Sequence, residues 1–511
     1  MISVPALFII YNRIKGSLKK GKNKCKLPWR IHLIRLFRQS RKIHLLLKEK
    51  AFVGGKQMST IAAISTPLSA SGLGVIRISG EDAVFVGEKM FRPFKGGKEL
   101  SKLGGYSCAY GRVFDSEGDI DEAVATVFIA PKSYTGENTV EFSCHGSPAL
   151  LKRVLRAALD CGAGLAGPGE FTKRALLNGK LTLTQAEAVM DLISSKSASA
   201  GKAALAMRDG ALYRKIRSVT ESLTELETHL AAWSDYPEED VEELSDEHLE
   251  TVLNETERVL KRLMETYDAG KVIREGATTV IAGKPNVGKS TLMNLISGRD
   301  RSIVTEIAGT TRDVVEESVL VGDIPIRLLD TAGLRDTEDA VEKIGVDMAN
   351  TEIDRCDVVI AVFDSSRPFD ETDFELIEKL KGRPAVAVIN KSDLELQADV
   401  DAVHAGFENV VTISARKGDG EEEFRNALAK VLKTADLDPA EPVMANERQL
   451  DCVRRAKKAI DEALDAVAFG MTLDAVGICI ETSLDALYEL TGEKASDAVI
   501  EKVFERFCVG K

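Results

Sequence analysis

The feature that most constrains the fold is the segment Gly283–Ser290, which reads GKPNVGKS. It follows the apolar run Thr278–Ala282 and precedes the helix-forming stretch Thr291–Ile296. Glycines between a strand and a helix let backbone N–H groups turn toward phosphate oxygens at the helix N-terminus. Lys289 adds a point charge, and the hydroxyl of Ser290 suits Mg²⁺. The segment therefore predicts a phosphate-binding P-loop within an α/β domain.

Three further segments follow predicted strands in the order that a guanine-nucleotide site requires. Asp330–Gly333 (DTAG) is expected to support the Mg²⁺ shell and to sense the γ-phosphate. Asn390–Asp393 (NKSD) ends a later strand, and the Asp393 carboxylate can accept two hydrogen bonds from guanine, where adenine presents an acceptor and a C–H group. Ser414–Arg416 would bring a backbone N–H to the guanine carbonyl. The pattern predicts binding of GTP rather than ATP.

Length and composition set the bounds for the rest of the chain. At 511 residues the chain exceeds what one hydrophobic core usually supports, so several domains are expected. Hydrophobic residues make up 44% and charged residues 29%, and no apolar run reaches the roughly 18 residues that span a bilayer. The eight cysteines are scattered with no CxxC pair, which argues against a disulfide framework or a zinc knuckle. We expect a reducing, cytoplasmic location without membrane insertion.

The first 57 residues differ sharply from the remainder. They carry fifteen Lys and Arg residues against one acid, Glu49, although the whole chain has a net charge of −12. Three interpretations compete: an acid-poor transit peptide, a basic arm that touches nucleic acid, or an upstream extension of the reading frame before Met58. The last is favoured because Lys outnumbers Arg and the apolar runs lack a signal-peptide layout. The acidic remainder would need local or shared contacts to handle RNA.

Hydrophobic patterns divide the chain after residue 57. Residues 58–178 show short β-type runs between turns, typical of an α+β domain. Residues 179–273 and 437–511 have helical periodicity, whereas 274–436 alternate strands with helices as in a doubly wound sheet. The α/β domain is thus expected to be inserted between two halves of a helical domain. The predicted strands are Ile61–Ser65, Gly74–Ser79, Ala123–Ile129, Thr139–Cys144, Thr278–Ala282, Ile324–Asp330, Val358–Phe363, Ala385–Asn390 and Val410–Ser414.

The segment Gly309–Asp313 (GTTRD) supplies a switch threonine, Thr311, as a second protein ligand of Mg²⁺ beside Ser290. Together with GKPNVGKS it resembles the Era/TrmE group of GTPases, whose P-loop asparagine matches Asn286. Leu334 follows DTAG at the position where Ras-type GTPases use a glutamine to orient water. Another group must therefore orient the attacking water.

The resemblance implies which groups take that role. In the tRNA-modification members of the group, a bound K⁺ occupies the place of an arginine finger, and its ligands match Asn286, Thr305, Ile307 and Thr310. The family's water-orienting glutamate matches Glu342, which without the resemblance would be interpreted as a solvated helix residue. The nucleotide contacts predicted in all are Asn286, Val287, Gly288, Lys289, Ser290, Thr291, Thr305, Glu306, Ile307, Ala308, Gly309, Thr310, Thr311, Asp330, Thr331, Ala332, Gly333, Asn390, Lys391, Asp393, Ser414, Ala415 and Arg416.

The two ends of the chain narrow the resemblance to the tRNA-modification GTPase (MnmE/TrmE) family. It covers essentially Met58–Lys511, and the family's C-terminal motif usually has Ile where Val509 stands. The motifs resemble the family's folate-binding N-terminal domain and its short C-terminal cysteine motif. They are Gly74–Gly80, Pro131–Glu137, Val140–Gly146, Gly167–Lys173, Leu177–Leu181 and Phe507–Lys511.

The family's ligands for 5-formyltetrahydrofolate or methylenetetrahydrofolate carry over to Arg77, Glu141, Lys180 and Lys511. Their charges suit a glutamyl carboxylate and a polar pterin. The resemblance also implies a functional, catalytic thiol at Cys508, although a lone cysteine is most often a small buried hydrophobe. No Cys/His pair in the sequence shows how that thiol would be activated.

The family implies a K⁺-stimulated, Mg²⁺-dependent GTPase that forms a homodimer through its N-terminal domains. With an FAD-dependent partner subunit of the MnmG/GidA type, which carries the FAD, it would form a heterotetramer. This assembly would use a tetrahydrofolate one-carbon unit to add an aminomethyl-type (carboxymethylaminomethyl) group to carbon 5 of the wobble uridine of certain tRNAs. One alternative is an Era-like ribosome-assembly GTPase, which predicts an RNA-binding appendage such as a KH loop. Another is a folate-dependent aminomethyl transferase with a regulatory G domain.

Overall fold

The computed structural model describes residues 59–235, 245–297, 317–329, 353–435, 438, 441–505 and 507–510. The described residues form two compact units, those within 59–181 and 500–510, and those within 182–499. In the described ranges, no helix has both the length and the apolar character needed to cross a bilayer. The domain boundaries inferred from the sequence stay a prediction.

A mostly antiparallel sheet dominates the first unit. Its strands are ordered β3-β4-β5-β6-β2-β1-β7, and only the β1–β7 pair is parallel. The strands are β1 (Ile61–Ile64), β2 (Ser71–Ser79), β3 (Phe91–Pro93), β4 (Ser107–Asp115), β5 (Gly118–Phe128), β6 (Thr139–Gly146) and β7 (Gly164–Leu165), and the helices are α1 (Ala83–Lys89), α2 (Pro148–Asp160) and α3 (Glu170–Leu177).

Alternation along β6 separates the two faces of this sheet. Val140, Phe142 and Cys144 are fully buried, whereas Glu141 between them points to the other face. The buried side chains share a core cluster with α2, whose apolar residues recur at helical spacing. The charged side chain of Glu141 is therefore available on the face opposite this core.

Residues 507–510, near the end of the chain, belong to the first unit. Val509 forms an antiparallel bridge with Pro168, and the Ser65 hydroxyl donates a 3.1 Å hydrogen bond to the carbonyl of Gly510. Gly510 has φ of +99°, and a Cβ added there would lie 2.3 Å from the carbonyl oxygen of Ile64. Only glycine can adopt this φ and approach Ile64 so closely. Gly510 therefore allows the tail to pack against the end of β1.

Helices form one part of the second unit. Their apolar faces share one large core cluster that includes residues from both before and after the α/β segment. The helices are α4 (Leu183–Ser194), α5 (Ala198–Arg208), α6 (Ala211–Asp235), α7 (Asp246–Glu265), α8 (Tyr267–Glu275), α13 (Glu447–Ala468) and α14 (Leu473–Thr491). A last helix, α15 (Asp497–Phe504), belongs mostly to the first unit.

The other part is a sheet ordered β13-β12-β11-β8-β10-β9, parallel except for the β9–β10 hairpin. Side chains of β11 alternate between two core clusters, so the sheet is covered on both faces. The elements are β8 (Ala277–Ala282), α9 (Lys289–Ser297), β9 (Glu317–Val321), β10 (Ile324–Leu328), β11 (Val358–Asp364), α10 (Glu371–Leu380), β12 (Ala385–Asn390), α11 (Val400–Gly406), β13 (Val410–Thr412) and α12 (Glu421–Val431).

Candidate functional site

The phosphate loop lies between β8 and α9, as the sequence predicts. Three of its residues have positive φ: Gly283 (149°), Asn286 (65°) and Gly288 (98°). A Cβ added at Gly283 would lie 2.4 Å from the carbonyl oxygen of Val362, and one at Gly288 would lie 2.2 Å from Nδ2 of Asn390. The loop therefore needs glycine at both ends, for its backbone conformation and for close approach.

Lys289 occupies the centre of this loop. Its Nζ donates hydrogen bonds of 2.7 Å to the carbonyl of Gly283 and 2.8 Å to that of Lys284. Burial lowers the pKa of Lys289, and both acceptors are neutral, so a polyphosphate would supply the missing negative charge. Ser290 and Thr291 are exposed in the first turn of α9. This donor set fits a nucleotide phosphate with Mg²⁺ at the Ser290 hydroxyl.

The base-recognition loop is tied to the phosphate loop by a buried side chain. Asn390, 2% exposed, donates through Nδ2 to the carbonyl of Val287 at 2.8 Å. Its Oδ1 accepts a 3.0 Å hydrogen bond from the backbone N–H of Ala415. One side chain therefore connects three of the segments that the sequence assigns to the nucleotide site.

Asp393, the residue expected to select guanine, lies in the same loop. Its Oδ1 accepts a 2.7 Å hydrogen bond from the hydroxyl of Ser414. This hydrogen bond is the main cause that holds the pKa of Asp393 below its ordinary value. The carboxylate stays ionised and can accept from the two guanine donors. Arg416, also assigned to this site, is exposed.

The sequence interpretation did not include Asp364, the acidic residue that ends β11. Nζ of Lys391 donates a 2.6 Å hydrogen bond to its Oδ2. Asp364 follows six buried apolar residues, and its carboxylate is itself almost fully buried. A charged residue at the end of such a run was the available signal, because burial of a carboxylate needs a specific partner.

Several predicted site residues lie outside the described residues, so their assignment stays a prediction. They come from the switch segments and from the end of the chain: Thr305, Glu306, Ile307, Ala308, Gly309, Thr310, Thr311, Asp330, Thr331, Ala332, Gly333, Glu342 and Lys511.

The first unit brings together three of the residues matched to folate ligands. Nε of Arg77 donates a 2.7 Å hydrogen bond to Glu141, its neighbour across the β2–β6 pair. The guanidinium lies over the rings of Tyr134, at 5.7 Å, and Phe171, at 5.4 Å. Nζ of the exposed Lys180 donates a 3.1 Å hydrogen bond to the carbonyl of Pro131. Arg77 and Lys180 therefore contact the same loop, Pro131–Glu137.

Cys508 lies in the tail that reaches the first unit. It is exposed, so the sequence-based alternative of a small buried hydrophobe is wrong at this position. Its carbonyl accepts a 3.3 Å hydrogen bond from the backbone N–H of Gly169, two residues before Phe171. The thiol is accessible to reagents and substrates in this arrangement.

Comparison with known proteins decides the family. A family model of the MnmE helical domain matches residues 183–508, and a model of the GTP-binding protein TrmE N-terminus matches residues 60–180. The tRNA modification GTPase MnmE of Acetivibrio thermocellus is 39% identical over 457 residues, covering 88% of this chain and 99% of that relative. The same protein of Clostridioides difficile is 39% identical over 455 residues, with equal coverage. The chain belongs to the tRNA modification GTPase MnmE family.

Membership in the MnmE family confirms the predicted enzyme class, a GTP hydrolase in tRNA modification, and implies binding of GTP and Mg²⁺. A solved structure of Era with MgGDPNP and nucleotides 1506–1542 of 16S ribosomal RNA is 29% identical, covering 36% of this chain and 66% of that chain. Its TM-score of 0.25 is too low to establish a shared architecture. The Era-like alternative is not favoured, because the N-terminal family model matches residues outside the α/β segment.

Proposed function

We propose that this MnmE family member couples GTP hydrolysis to addition of an aminomethyl-type group at carbon 5 of the wobble uridine of certain tRNAs. It would work in the cytoplasm as a homodimer with an FAD-dependent partner subunit that carries the FAD. The observation that carries the proposal is that Arg77, paired with Glu141, and Lys180 contact the same loop of the first unit. Charged residues so grouped suit a small, polar and anionic ligand.

The chemistry of this donor set fits a tetrahydrofolate, which would supply a one-carbon unit when bound. Glu141 accepts a hydrogen bond from Nε of Arg77 and so orients the guanidinium. Its two amino groups can then bind a carboxylate in a forked geometry. Arg77 and Lys180 would hold acidic or carbonyl groups of the ligand, and Glu141 would accept hydrogen bonds from pterin N–H groups.

The C-terminal tail supports the same assignment. Gly510 contacts Ser65, which follows β1, and Val509 pairs with Pro168. Cys508 is exposed in this arrangement. We propose that Cys508 acts in the modification reaction and that Lys511, which lies outside the described residues, completes the folate site. Both roles are carried over from the family.

We propose that K⁺ stimulates hydrolysis and that Glu342 orients the attacking water. Of the proposed K⁺ ligands, Asn286 lies among the residues that the structure describes. It is an exposed residue of the phosphate loop, and its backbone has a positive φ. A cation there would supply positive charge near the phosphate groups. Thr305, Ile307 and Thr310 would complete the K⁺ site, and Thr311 would join Ser290 at Mg²⁺.

GTP hydrolysis in K⁺ and in Na⁺ at equal ionic strength tests the cation proposal. The rate should be higher in K⁺, and Asn286→Gly should remove most of the difference while leaving the Na⁺ rate nearly unchanged. Glycine is chosen because it keeps the positive φ of this position. Asn254→Ala, at an exposed position of α7, is the matched control. Equal rates of the natural chain in the two salts would exclude the K⁺ site.

Equilibrium dialysis with 5-formyltetrahydrofolate tests the folate proposal. Arg77→Ala should weaken binding about tenfold or more, since a charge-assisted contact is lost, while GTP hydrolysis stays unchanged. Arg112→Ala, an exposed arginine on β4 of the same sheet, is the control. Equal folate affinity in Arg77→Ala would remove Arg77 from the site. Release of one-carbon units without tRNA would instead favour the alternative of an aminomethyl transferase with a regulatory G domain.

A further inference from the structure

The carboxylate of Asp364 is held by donors on both oxygens. Nζ of Lys391 donates to Oδ2 at 2.6 Å, and the side chain of Asp364 is only 7% exposed. Oδ1 accepts hydrogen bonds from the backbone N–H of Ser366, at 3.0 Å, and from its hydroxyl, at 2.6 Å. The carboxylate at the end of β11 therefore has one fixed orientation, and Lys391 has a fixed partner.

Lys391 belongs to the base-recognition loop, between Asn390 and Asp393. Its φ of +67° is a backbone conformation that residues with side chains adopt infrequently, so the loop constrains it at the backbone end. Asp364 constrains it at the ammonium end. A free lysine loses rotamer freedom when it is ordered. Holding Lys391 before the nucleotide arrives reduces the entropy that binding would otherwise cost.

The charges continue from Asp364 to the phosphate loop. Nε of Arg367 lies 3.7 Å from Oδ2 of Asp364, and its Nη2 lies 3.7 Å from Oδ1 of Asp373. Asp373, in the first turn of α10, is 2% exposed and accepts a 2.9 Å hydrogen bond from Nζ of Lys284. Lys284 is the second residue of the phosphate loop. Alternating charges thus connect the two loops that surround the nucleotide site.

We propose that Asp364 is a positioning residue for guanine-nucleotide binding, which acts by fixing Lys391 in the base-recognition loop. Burial acts to raise the pKa of Asp364, but hydrogen bonds from Lys391 and Ser366 outweigh it and hold the pKa below its ordinary value. Asp364 is therefore charged at neutral pH. The inference concerns GTP binding and does not rest on the K⁺ or folate proposals.

A positioning role predicts a change in affinity rather than in the chemical step. Asp364→Ala should raise the Kd for GDP and the KM for GTP about tenfold, while kcat changes less than about twofold. Asp364→Asn keeps an acceptor oxygen for Lys391 and Ser366 but loses the charge, so its Kd should be intermediate. Asp354→Ala is the matched control, because Asp354 pairs with Arg383 at the exposed surface of the same sheet domain.

A double-mutant cycle with Lys391→Ala separates positioning from a structural role. If Asp364 acts through Lys391, adding Asp364→Ala to Lys391→Ala should raise the Kd for GDP by less than about twofold further. Additive effects, or a Kd unchanged by Asp364→Ala, would overturn the proposal, and so would a loss of kcat at constant KM. If Asp364→Ala does not fold, the same cycle with Asp364→Asn decides the question by the same criteria.

Discussion

The side-chain amide of Asn390 donates a 2.8 Å hydrogen bond to the carbonyl of Val287, so the base-recognition loop and the phosphate loop share one buried contact. The other end of the same amide accepts from the N–H of Ala415. Asn390 is 2% exposed, so water has little access to these groups. The nucleotide site is therefore organised from within by a residue whose side-chain nitrogen and oxygen each contact another loop of the site.

Asn390→Ala should disrupt this organisation. It leaves the Val287 carbonyl and the Ala415 N–H without partners, which costs about 1–3 kcal/mol of unfolding free energy when such groups are buried. The Kd for GDP should rise at least tenfold, because the two loops lose their link. Differential scanning calorimetry and GDP titration measure the two effects. Asn254→Ala should change neither, and an unaltered GDP affinity in Asn390→Ala would contradict the role assigned to Asn390.

Asp393→Asn should change which base is bound. The carboxylate accepts from two guanine donors, whereas an amide can donate to the carbonyl that xanthine carries at one of these positions. The variant should bind GDP at least tenfold more weakly and prefer XDP, as competition titrations would show. Asp401→Asn, at an exposed position of α11, should leave the preference for GDP unchanged. A variant at Asp393 that still selects GDP over XDP would remove this residue from base recognition.

Glu187 links helices that are far apart in the sequence. It accepts from Nε and Nη2 of Arg448 at 2.9 and 2.8 Å, and from Nε2 of Gln449 at 2.6 Å. Glu187→Leu leaves the charge of the half-buried Arg448 without its carboxylate partner. It should lower the unfolding free energy by about 3–5 kcal/mol.

Adding Arg448→Met to Glu187→Leu should restore part of that loss, since no charge is then left unpaired. Urea unfolding followed by helical circular dichroism compares the two variants. A double variant less stable than the single one would show that the stability lost in Glu187→Leu comes from the ion pair itself and not from the unpaired charge of Arg448.

Asp191 on α4 should make stability depend on pH. Burial is the main cause that raises the pKa of Asp191 from 3.8 to about 6, although Arg274 lies 3.3 Å away and acts to lower it; Glu187 and Glu275 raise it further. A raised pKa in the folded state means that the proton stabilises the fold. This stability is complete below the unfolded pKa and is lost as pH rises through about 6.

Asp191→Asn should therefore gain unfolding free energy relative to the natural chain by about 2 kcal/mol between pH 4 and pH 7. Urea unfolding at several pH values measures the difference. Asp209→Asn, at an exposed position after α5, is the control. Parallel pH profiles for Asp191→Asn and the natural chain would show that this carboxyl titrates normally.

Much of the strand pattern was predictable, and the exceptions have physical reasons. Long buried runs such as Ala385–Asn390 match the observed strands closely. The missed strands β3 and β7 have three and two residues and, unlike the short predicted strands β1 and β13, contain no run of apolar residues. The five-residue β9 was also missed, since its polar residues stand together at one end and give no alternation. The nine-residue β4 was also missed, because its inward positions include Ala109 and Gly111, whose small side chains give weak alternation.

The site was predictable where the local sequence fixes the backbone conformation. It was less predictable where the fold determines which side chains form hydrogen bonds with each other. Positive φ and close approach at Gly283 and Gly288 follow from the loop itself. The pairing of Arg77 with Glu141 depends on the register of β2 and β6, which residues 64 positions apart do not reveal. The contact of Asp364 with Lys391 likewise follows from the order of parallel strands, since β11 and β12 end side by side.

We propose that this MnmE family member modifies the wobble uridine of tRNA by means of GTP hydrolysis. Mass spectrometry of tRNA nucleosides from a strain that lacks the gene tests it most directly. The aminomethyl-type wobble uridine should disappear, return with the natural gene, and stay absent with Asp393→Asn, while Asp401→Asn restores it. Wobble uridine that remains fully modified in the deletion strain, or full restoration by Asp393→Asn, would contradict the account.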